Sequence, residues 1–291
     1  MLLLDGKTLS SKIKSTIASQ VNALKNERGI VPHLAAILIG GDGASETYVA
    51  GKIKSCREVG FLSSLYRFSS EVSQKEIFNK IDEVNNNPEI HGLIVQLPLP
   101  KHISSEKINE RISPQKDVDG FHPLNAGKML AGLPCHLPAT PFGIMLLLKE
   151  YHVPTEGKNC VILGRSHIVG RPMSMLLSGN SYPGNCTVTL CHSKTKNLQK
   201  ITAEADILIV AMGIPGYVTG EMVKEGVAVI DVGITRVAAD NKTGFRLQGD
   251  VKFEEVSPKS SFITPVPGGV GPMTIAALML NTLKAATEFL D

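Results

Sequence analysis

The sequence predicts an α/β protein of two domains, each a parallel sheet covered by helices, and three observations carry that reading. Short apolar runs alternate with helical patterns along both halves of the 291-residue chain. Thr140-Pro141 reads as a helix N-cap followed by proline at the first helical position, and it marks the crossing between the halves. In the second half Cys160-Val161-Ile162-Leu163 runs into Gly164-Arg165-Ser166-His167-Ile168-Val169-Gly170. This is a strand feeding a glycine turn that opens a helix, the start of a doubly wound, Rossmann-type unit.

The elements follow in order. Leu9, Ile13, Ile17, Val21 and Leu24 recur at helical spacing, and Gly29 stands just past them as a stop. Leu34 to Ile39 reads as a buried strand, followed by a Gly40-Gly41-Asp42-Gly43 turn and a helix from about Ser45 to Val59, ended by Gly60. A second strand covers Ser63 to Phe68. Ser73 with Glu76 makes a capping box for a helix that stops near Asn85-Asn86-Asn87-Pro88, before a strand from Gly92 to Leu97. Past Thr140 a helix runs through Ile144, Leu147 and Leu148 towards Tyr151. Strands then fall at Cys160 to Leu163, Val188 to Cys191, Ile207 to Val210, Val227 to Val232 and Phe262-Ile263. Val237 to Val251 reads as a hairpin excursion around the turn-rich Asp240-Asn241-Lys242-Thr243-Gly244. The last helix, from about Met273 to Phe289, carries Ile275, Met279 and Leu283 and is expected to return to the first domain. The predicted domains are residues 1–139, completed by 272–291, and residues 140–271.

Composition narrows the function classes. A hydrophobic content of 43% suits a globular protein with a sizeable core, and 30 basic against 27 acidic residues are spread without a block or tail that would bind nucleic acid or a membrane surface. The five cysteines form no C-x-x-C pair, which predicts neither a disulfide framework nor a zinc site and points to a reducing cytoplasm. Met1-Leu2-Leu3-Leu4 is too short for a signal-peptide core, and no apolar run approaches the roughly 20 residues of a membrane helix. None of the eight histidines shows metal-ligand spacing, so no metal is expected.

In the first domain, Tyr48 and Lys52 are four apart on the predicted helix and share one face, beside an apolar stripe of Val49, Ile53 and Cys56. The pair reads either as a solvated lysine beside a half-buried tyrosine or as two groups projecting into one cleft. Gln96 lies late on its strand, before Pro98-Leu99-Pro100, at the carboxyl end where open α/β sheets bind ligands. Asp117-Val118-Asp119-Gly120-Phe121-His122-Pro123 is an acidic loop able to hold a carboxylate out towards a ligand, a metal or solvent. Thr264 to Pro272, which includes Pro267, Gly268 and Gly269, is rigid at its prolines and bare at its glycines. It reads as a backbone lying against a flat ligand or as a tight connector into the last helix.

In the second domain, Gly164 permits a tight reversal and Gly170 a close approach of helix and strand, so the helix start can face a pyrophosphate. An NAD-type unit places an acid on the ribose 2′-hydroxyl about 20 residues on. Here that stretch is Leu190-Cys191-His192-Ser193-Lys194-Thr195-Lys196, with no acid. Arg165 and Ser193 with its lysines supply donors and positive charge suited to a 2′-phosphate, which predicts NADP.

Tyr48-x-x-x-Lys52, Gln96-Leu97-Pro98-Leu99-Pro100, Asp117 to Pro123, Gly164-Arg165-Ser166 and Pro265 to Pro272 span nearly the whole chain. In this order they resemble the bifunctional methylenetetrahydrofolate dehydrogenase/methenyltetrahydrofolate cyclohydrolase family. The resemblance implies a folate cleft between two α/β domains, with Tyr48 stacking on the aminobenzoyl ring, Lys52 and Gln96 at the reacting carbon, and Asp119 holding the pterin. It also implies that Gly164, Arg165, Ser166, Ser193 and Ile234 line the NADP site, that Pro267, Gly268 and Gly269 meet the substrate, and that the protein is a cytoplasmic homodimer. The implied reactions are NADP-dependent oxidation of 5,10-methylenetetrahydrofolate to the methenyl form and its hydrolysis to 10-formyltetrahydrofolate. In that chemistry Lys52 is the expected proton handler, its pKa lowered by desolvation and its amine oriented by Gln96. Ser178 to Asn185 departs from the family pattern as a longer loop. A different NADP-dependent oxidoreductase is disfavoured because no His-Asp/Glu or Ser-Tyr-Lys relay is apparent, and a non-catalytic binding module is disfavoured by Lys52.

Overall fold

The computed structural model describes residues 1–240 and 244–288, so the turn expected at Asn241-Lys242-Thr243 and the expected helix end at Phe289 lie outside the described residues. In chain order the first elements are β1 (Leu2–Leu3), α1 (Gly6–Arg28), β2 (His33–Ile39), α2 (Gly43–Val59), β3 (Leu62–Phe68), α3 (Gln74–Asn86), β4 (Gly92–Val95), α4 (Ser105–Arg111), α5 (Pro123–Leu130) and α6 (Ala139–Glu150). There follow β5 (Asn159–Leu163), α7 (Gly170–Ser178), β6 (Thr187–Cys191), α8 (Leu198–Ala203), β7 (Ile207–Val210), β8 (Val227–Asp231), β9 (Thr235–Ala238), β10 (Phe245–Gln248), α9 (Phe253–Val256), β11 (Ser260–Ile263) and α10 (Val270–Glu288).

The chain divides into two units, Ser11–Ala139 with Ile275–Asp291, and Met1–Ser10 with Thr140–Thr274. The first holds a parallel sheet in the order β3-β2-β4. Its central strand has no polar residue between Leu34 and Ile39, all buried, because both faces of β2 are covered. The Ser73–Glu76 capping box forms as expected: Glu76 N–H donates to Ser73 Oγ at 3.2 Å while Ser73 N–H donates to Glu76 Oε2 at 3.1 Å. Ile77, Ile81 and Val84 then bury one face of α3 against β2 and β4.

The second unit holds a six-stranded parallel sheet in the order β1-β11-β8-β7-β5-β6, with α7 and α8 connecting β5 to β6 and β6 to β7, which is the doubly wound arrangement. The strands at its centre are continuous apolar runs, Val161 to Leu163, Ile207 to Val210 and Val227 to Ile230, all buried. β9 and β10 form the expected antiparallel excursion.

Several boundaries differ from the expectations. Residues 1–10 group with the second sheet rather than with the first domain: β1 pairs with β11, Leu4 N–H donates to the Ile263 carbonyl and Lys7 N–H to that of Gly268, both at 2.8 Å. The Thr140 hydroxyl does not cap α6. The helix starts at Ala139, and Thr140 Oγ1 instead shares a 3.0 Å hydrogen bond with Thr274 Oγ1. β4 ends at Val95, short of Leu97, because proline at 98 has no N–H for a ladder; Gln96 is the first residue past it. The Ser178–Asn185 loop is pinned by Tyr182 Oη, which donates towards the Leu148 and Val153 carbonyls.

Ser73→Ala removes one acceptor and half of a reciprocal cap, so we expect a loss of about 1 kcal/mol, read as faster amide hydrogen exchange along α3 in the variant.

Candidate active site

α2 carries its chemistry on its buried side. Val49, Lys52, Cys56 and Val59 are all buried, spaced at three and four residues, so Lys52 stands inside the apolar stripe rather than beside it, while Ile53 is only half-buried. The side chain is 4% exposed, far below what a lysine ordinarily reaches. Its Nζ donates to Gln96 Oε1 at 3.2 Å, lies 4.0 Å from Asp119 Oδ2 and sits 5.0 Å from the centroid of the Tyr48 ring. Three residues, from the same helix, one strand end and one loop, thus converge on the Lys52 amine, all within one unit.

Each partner is held from behind. Gln96 N–H donates to the Ile37 carbonyl at 2.9 Å, which keeps the residue aligned with β2 although the ladder has ended. Its side-chain Nε2 donates to the Leu97 carbonyl at 2.7 Å, so the amide presents Oε1, an acceptor without net charge, to the lysine. Asp119 rides on a loop anchored by its neighbour: Asp117 Oδ1 accepts from Phe121 N–H at 3.1 Å, and Oδ2 from His122 N–H at 2.8 Å and Asn125 Nδ2 at 2.9 Å. Burial pushes the Asp117 carboxyl up while these donors pull it down. Asn281 Nδ2 donates to the Val118 and Leu137 carbonyls, both at 2.8 Å, and Gly120 has φ +75° where a Cβ would stand 2.5 Å from the Leu137 backbone. The two aspartates therefore differ in kind. Asp117 turns inward and builds the loop, Asp119 reaches the amine, and no cluster of metal-ligating side chains occurs among the described residues.

Desolvation dominates the charge state of Lys52. Burial holds its pKa below the ordinary lysine value, and the Asp119 carboxylate only partly offsets this. Burial likewise pushes the Cys56 thiol, one turn along, up to about 12, so it stays protonated and inert.

In the other unit, the ends of β5, β6 and β7 enclose a cavity of about 410 Å³. Gly164, Arg165, Ser166 and Ser193 line it, together with Met212 and Tyr217, which sequence reasoning had not singled out; no acidic side chain does. Gly164 has φ +118° and a Cβ there would lie 2.3 Å from the Ala211 carbonyl oxygen; one on Gly170 would lie 1.9 Å from that of Gly164. Only glycine permits these contacts, and they bring the start of α7 down onto the sheet edge. Ser166 Oγ accepts from Val169 N–H at 3.1 Å, tying the turn to the helix start. Arg165 and Ser193 are exposed at the mouth. This lining fits an anionic nucleotide. Ile234 is 56% exposed beyond β8 and is not among the residues lining the cavity. In the Pro267–Gly269 segment, Gly268 has φ +112°, and a Cβ on Gly269 would lie 2.7 Å from the Pro265 carbonyl oxygen. Part of its glycine requirement is therefore close packing within its own unit.

Known proteins match the chain along nearly its whole length. The family model for the catalytic domain of tetrahydrofolate dehydrogenase/cyclohydrolase matches residues 4–119, and that for its NAD(P)-binding domain matches residues 138–290. The chain is 58% identical over 289 residues to a protein of Bacteroides thetaiotaomicron named bifunctional protein FolD, covering 99% of each. Among solved structures, the bifunctional FolD methylenetetrahydrofolate dehydrogenase/cyclohydrolase of Campylobacter jejuni is 50% identical with a TM-score of 0.93, each chain fully covered. The FolD of Trypanosoma brucei, solved with NADP and an inhibitor, is 35% identical with a TM-score of 0.94, covering 100% of this chain and 98% of that one.

NMR titration of the Lys52 side chain should give a midpoint below the ordinary lysine value of 10.5, and Asp119→Asn should lower it further by removing the one carboxylate that raises it. The sign for stability follows: the charged amine costs stability below its folded pKa, and that cost is relieved as pH rises towards the unfolded value. A midpoint that does not move in Asp119→Asn would remove the coupling.

Proposed function

The chain belongs to the tetrahydrofolate dehydrogenase/cyclohydrolase family, and from that premise we propose that Lys52, Gln96, Tyr48 and Asp119 are its catalytic and folate-binding groups. The protein is a bifunctional enzyme that oxidises 5,10-methylenetetrahydrofolate with NADP and hydrolyses the methenyl product to 10-formyltetrahydrofolate. The observation that carries the residue assignment is the desolvated amine of Lys52, held by a neutral acceptor.

NADP, when bound, supplies the two-electron acceptor for the methylene carbon. For that step the chain's task is alignment, with Tyr48 stacking against the aminobenzoyl ring and Asp119 accepting from the pterin N–H groups. Gly164, Arg165, Ser166 and Ser193 hold the nucleotide, and the Arg165 guanidinium reads the 2′-phosphate. Pro267, Gly268 and Gly269 lie along the substrate, and Ile234 is placed against the nucleotide by the resemblance alone.

In hydrolysis, water adds to the methenyl carbon, one carbon–nitrogen bond breaks, and a net proton is released. Lys52 takes that proton from the attacking water. A depressed pKa gives the amine a usable neutral fraction near pH 7, and Gln96 aims it without adding a charge that would hold it protonated. The homodimer and the cytoplasmic location are part of the same proposal; no helix among the described residues is long and apolar enough to cross a membrane.

Lys52→Met should lower hydrolysis of methenyltetrahydrofolate by roughly 10²–10⁴-fold and leave measurable dehydrogenase, so that the methenyl product accumulates in a coupled spectrophotometric assay. Equal loss of both activities in a folded variant would overturn the separation. Arg165→Ala should raise the KM for NADP roughly tenfold, the cost of one charge-assisted contact, and leave that for NAD nearly unchanged.

A further inference from the structure

Two buried aspartates that the mechanism does not use join three segments at the carboxyl edge of the six-stranded sheet. Asp231, the last residue of β8, accepts from Gly233 N–H (2.9 Å) and Asp250 N–H (3.0 Å) on Oδ1 and from Val251 N–H (3.0 Å) on Oδ2. Asp250, just past β10, accepts on Oδ2 from Met212 N–H at 2.7 Å and Gly213 N–H at 2.8 Å. Glycines stand where the carboxylates pass the backbone: a Cβ on Gly249 would lie 1.9 Å from Asp231 Oδ2, and one on Gly233 would lie 2.4 Å from Asp250 Oδ1. The reciprocal sequences Asp231-Val232-Gly233 and Gly249-Asp250-Val251 are thus one device.

Asp250 is fully buried and its Oδ1 has no hydrogen-bond partner. A half-satisfied buried carboxylate is a poor way to stabilise a fold, since each unpaired acceptor carries its desolvation cost. What the group accomplishes is local. It takes two successive N–H groups of the turn after β7 and fixes the path from Ala211 to Tyr217, which forms one wall of the nucleotide cavity.

We infer that Asp250 is a positioning residue for coenzyme binding, presetting the Met212–Gly213 turn although it does not itself line the cavity. The inference rests on the assignment of that cavity to NADP.

The test compares the full-length wild type with Asp250→Ala and Asp250→Asn by three measurements. These are the Kd for NADP from titration calorimetry, amide hydrogen exchange at Met212 and Gly213 without coenzyme, and hydrolysis of methenyltetrahydrofolate, which consumes no nucleotide. Asp250→Ala orphans two donors, so its Kd should rise roughly tenfold or more, with faster exchange at both amides and hydrolysis retained. Asp250→Asn keeps an amide oxygen for both donors while the charge is lost and an NH2 group replaces the unpaired Oδ1, so its Kd should rise roughly threefold. Wild-type affinity in folded Asp250→Ala overturns the inference. Should that variant fail to fold and hydrolyse, wild-type affinity in Asp250→Asn overturns it equally. A wild type that hydrolyses the methenyl substrate yet binds no NADP would remove the coenzyme assignment itself, a result distinct from either variant outcome.

Discussion

Burying one primary amine is the constraint to which the first unit is built. A lysine at a core position of α2 gives up its hydration, and the penalty for an unpaired buried ammonium is several kcal/mol. A carboxylate in direct hydrogen-bond contact would remove the problem by fixing the charge. The chain stops short of that solution. Asp119 Oδ2 stands 4.0 Å from Nζ, at the outer limit of an ion pair and beyond hydrogen-bond range, while the amine donates directly to the uncharged Gln96 Oε1. The amine is thus supported in both protonation states, which suits the proton-transfer role proposed for it. An Asp or Glu at 96 would tip the balance towards the cation.

The same economy shapes the loops. Asp117, Asp231 and Asp250 are buried carboxylates that accept from backbone N–H groups; Asp117 closes its own loop, whereas Asp231 and Asp250 join segments distant in sequence. Aspartate suits the task because its side chain is short enough to reach the main chain of a neighbouring turn yet offers two acceptor oxygens. In the Asp117-Val118-Asp119 sequence, one residue is spent on holding the loop so that another, two positions on, is presented to the amine. Sequence spacing alone leaves it open which aspartate does which. The fold decides it through the donors at 121, 122 and 125, which all lie on the side of Asp117.

What the sequence made legible follows from the range of the interactions involved. Parallel α/β architecture was readable because apolar runs such as Leu34 to Ile39 and helical stripes such as Ile77-Ile81-Val84 are local patterns, as is the Ser73 capping box. Lys52 was found, but its place was misjudged: the stripe runs 49-52-56-59, and a lysine at an interior position of it is a sharper signal than its partnership with Tyr48. The elements that were missed depend on distant partners. β1 is two residues long and exists only through β11, some 260 positions away. The Thr140 hydroxyl found Thr274 rather than its own helix start. Asp231 and Asp250 are ordinary residues in a one-dimensional reading, and their meeting requires the β9–β10 excursion to fold back.

Coenzyme choice illustrates how far an absence can be read once the fold supplies its location. The missing acid after β6 became informative because Cys191, His192, Ser193 and Thr195 line the cavity that Gly164 to Ser166 close from the other side. Two other exposed arginines are paired with acids, Arg67 with Glu46 and Arg111 with Asp82. Arg165 has no acidic partner among the described residues, and no acid lines the cavity it borders. Its positive potential is therefore uncompensated until an anion arrives. Pairing with a phosphate there displaces no internal ion pair, so the interaction is retained in full apart from solvent screening. On the reading proposed for this cavity, a ribose hydroxyl offers that guanidinium no charge to meet, whereas a 2′-phosphate does.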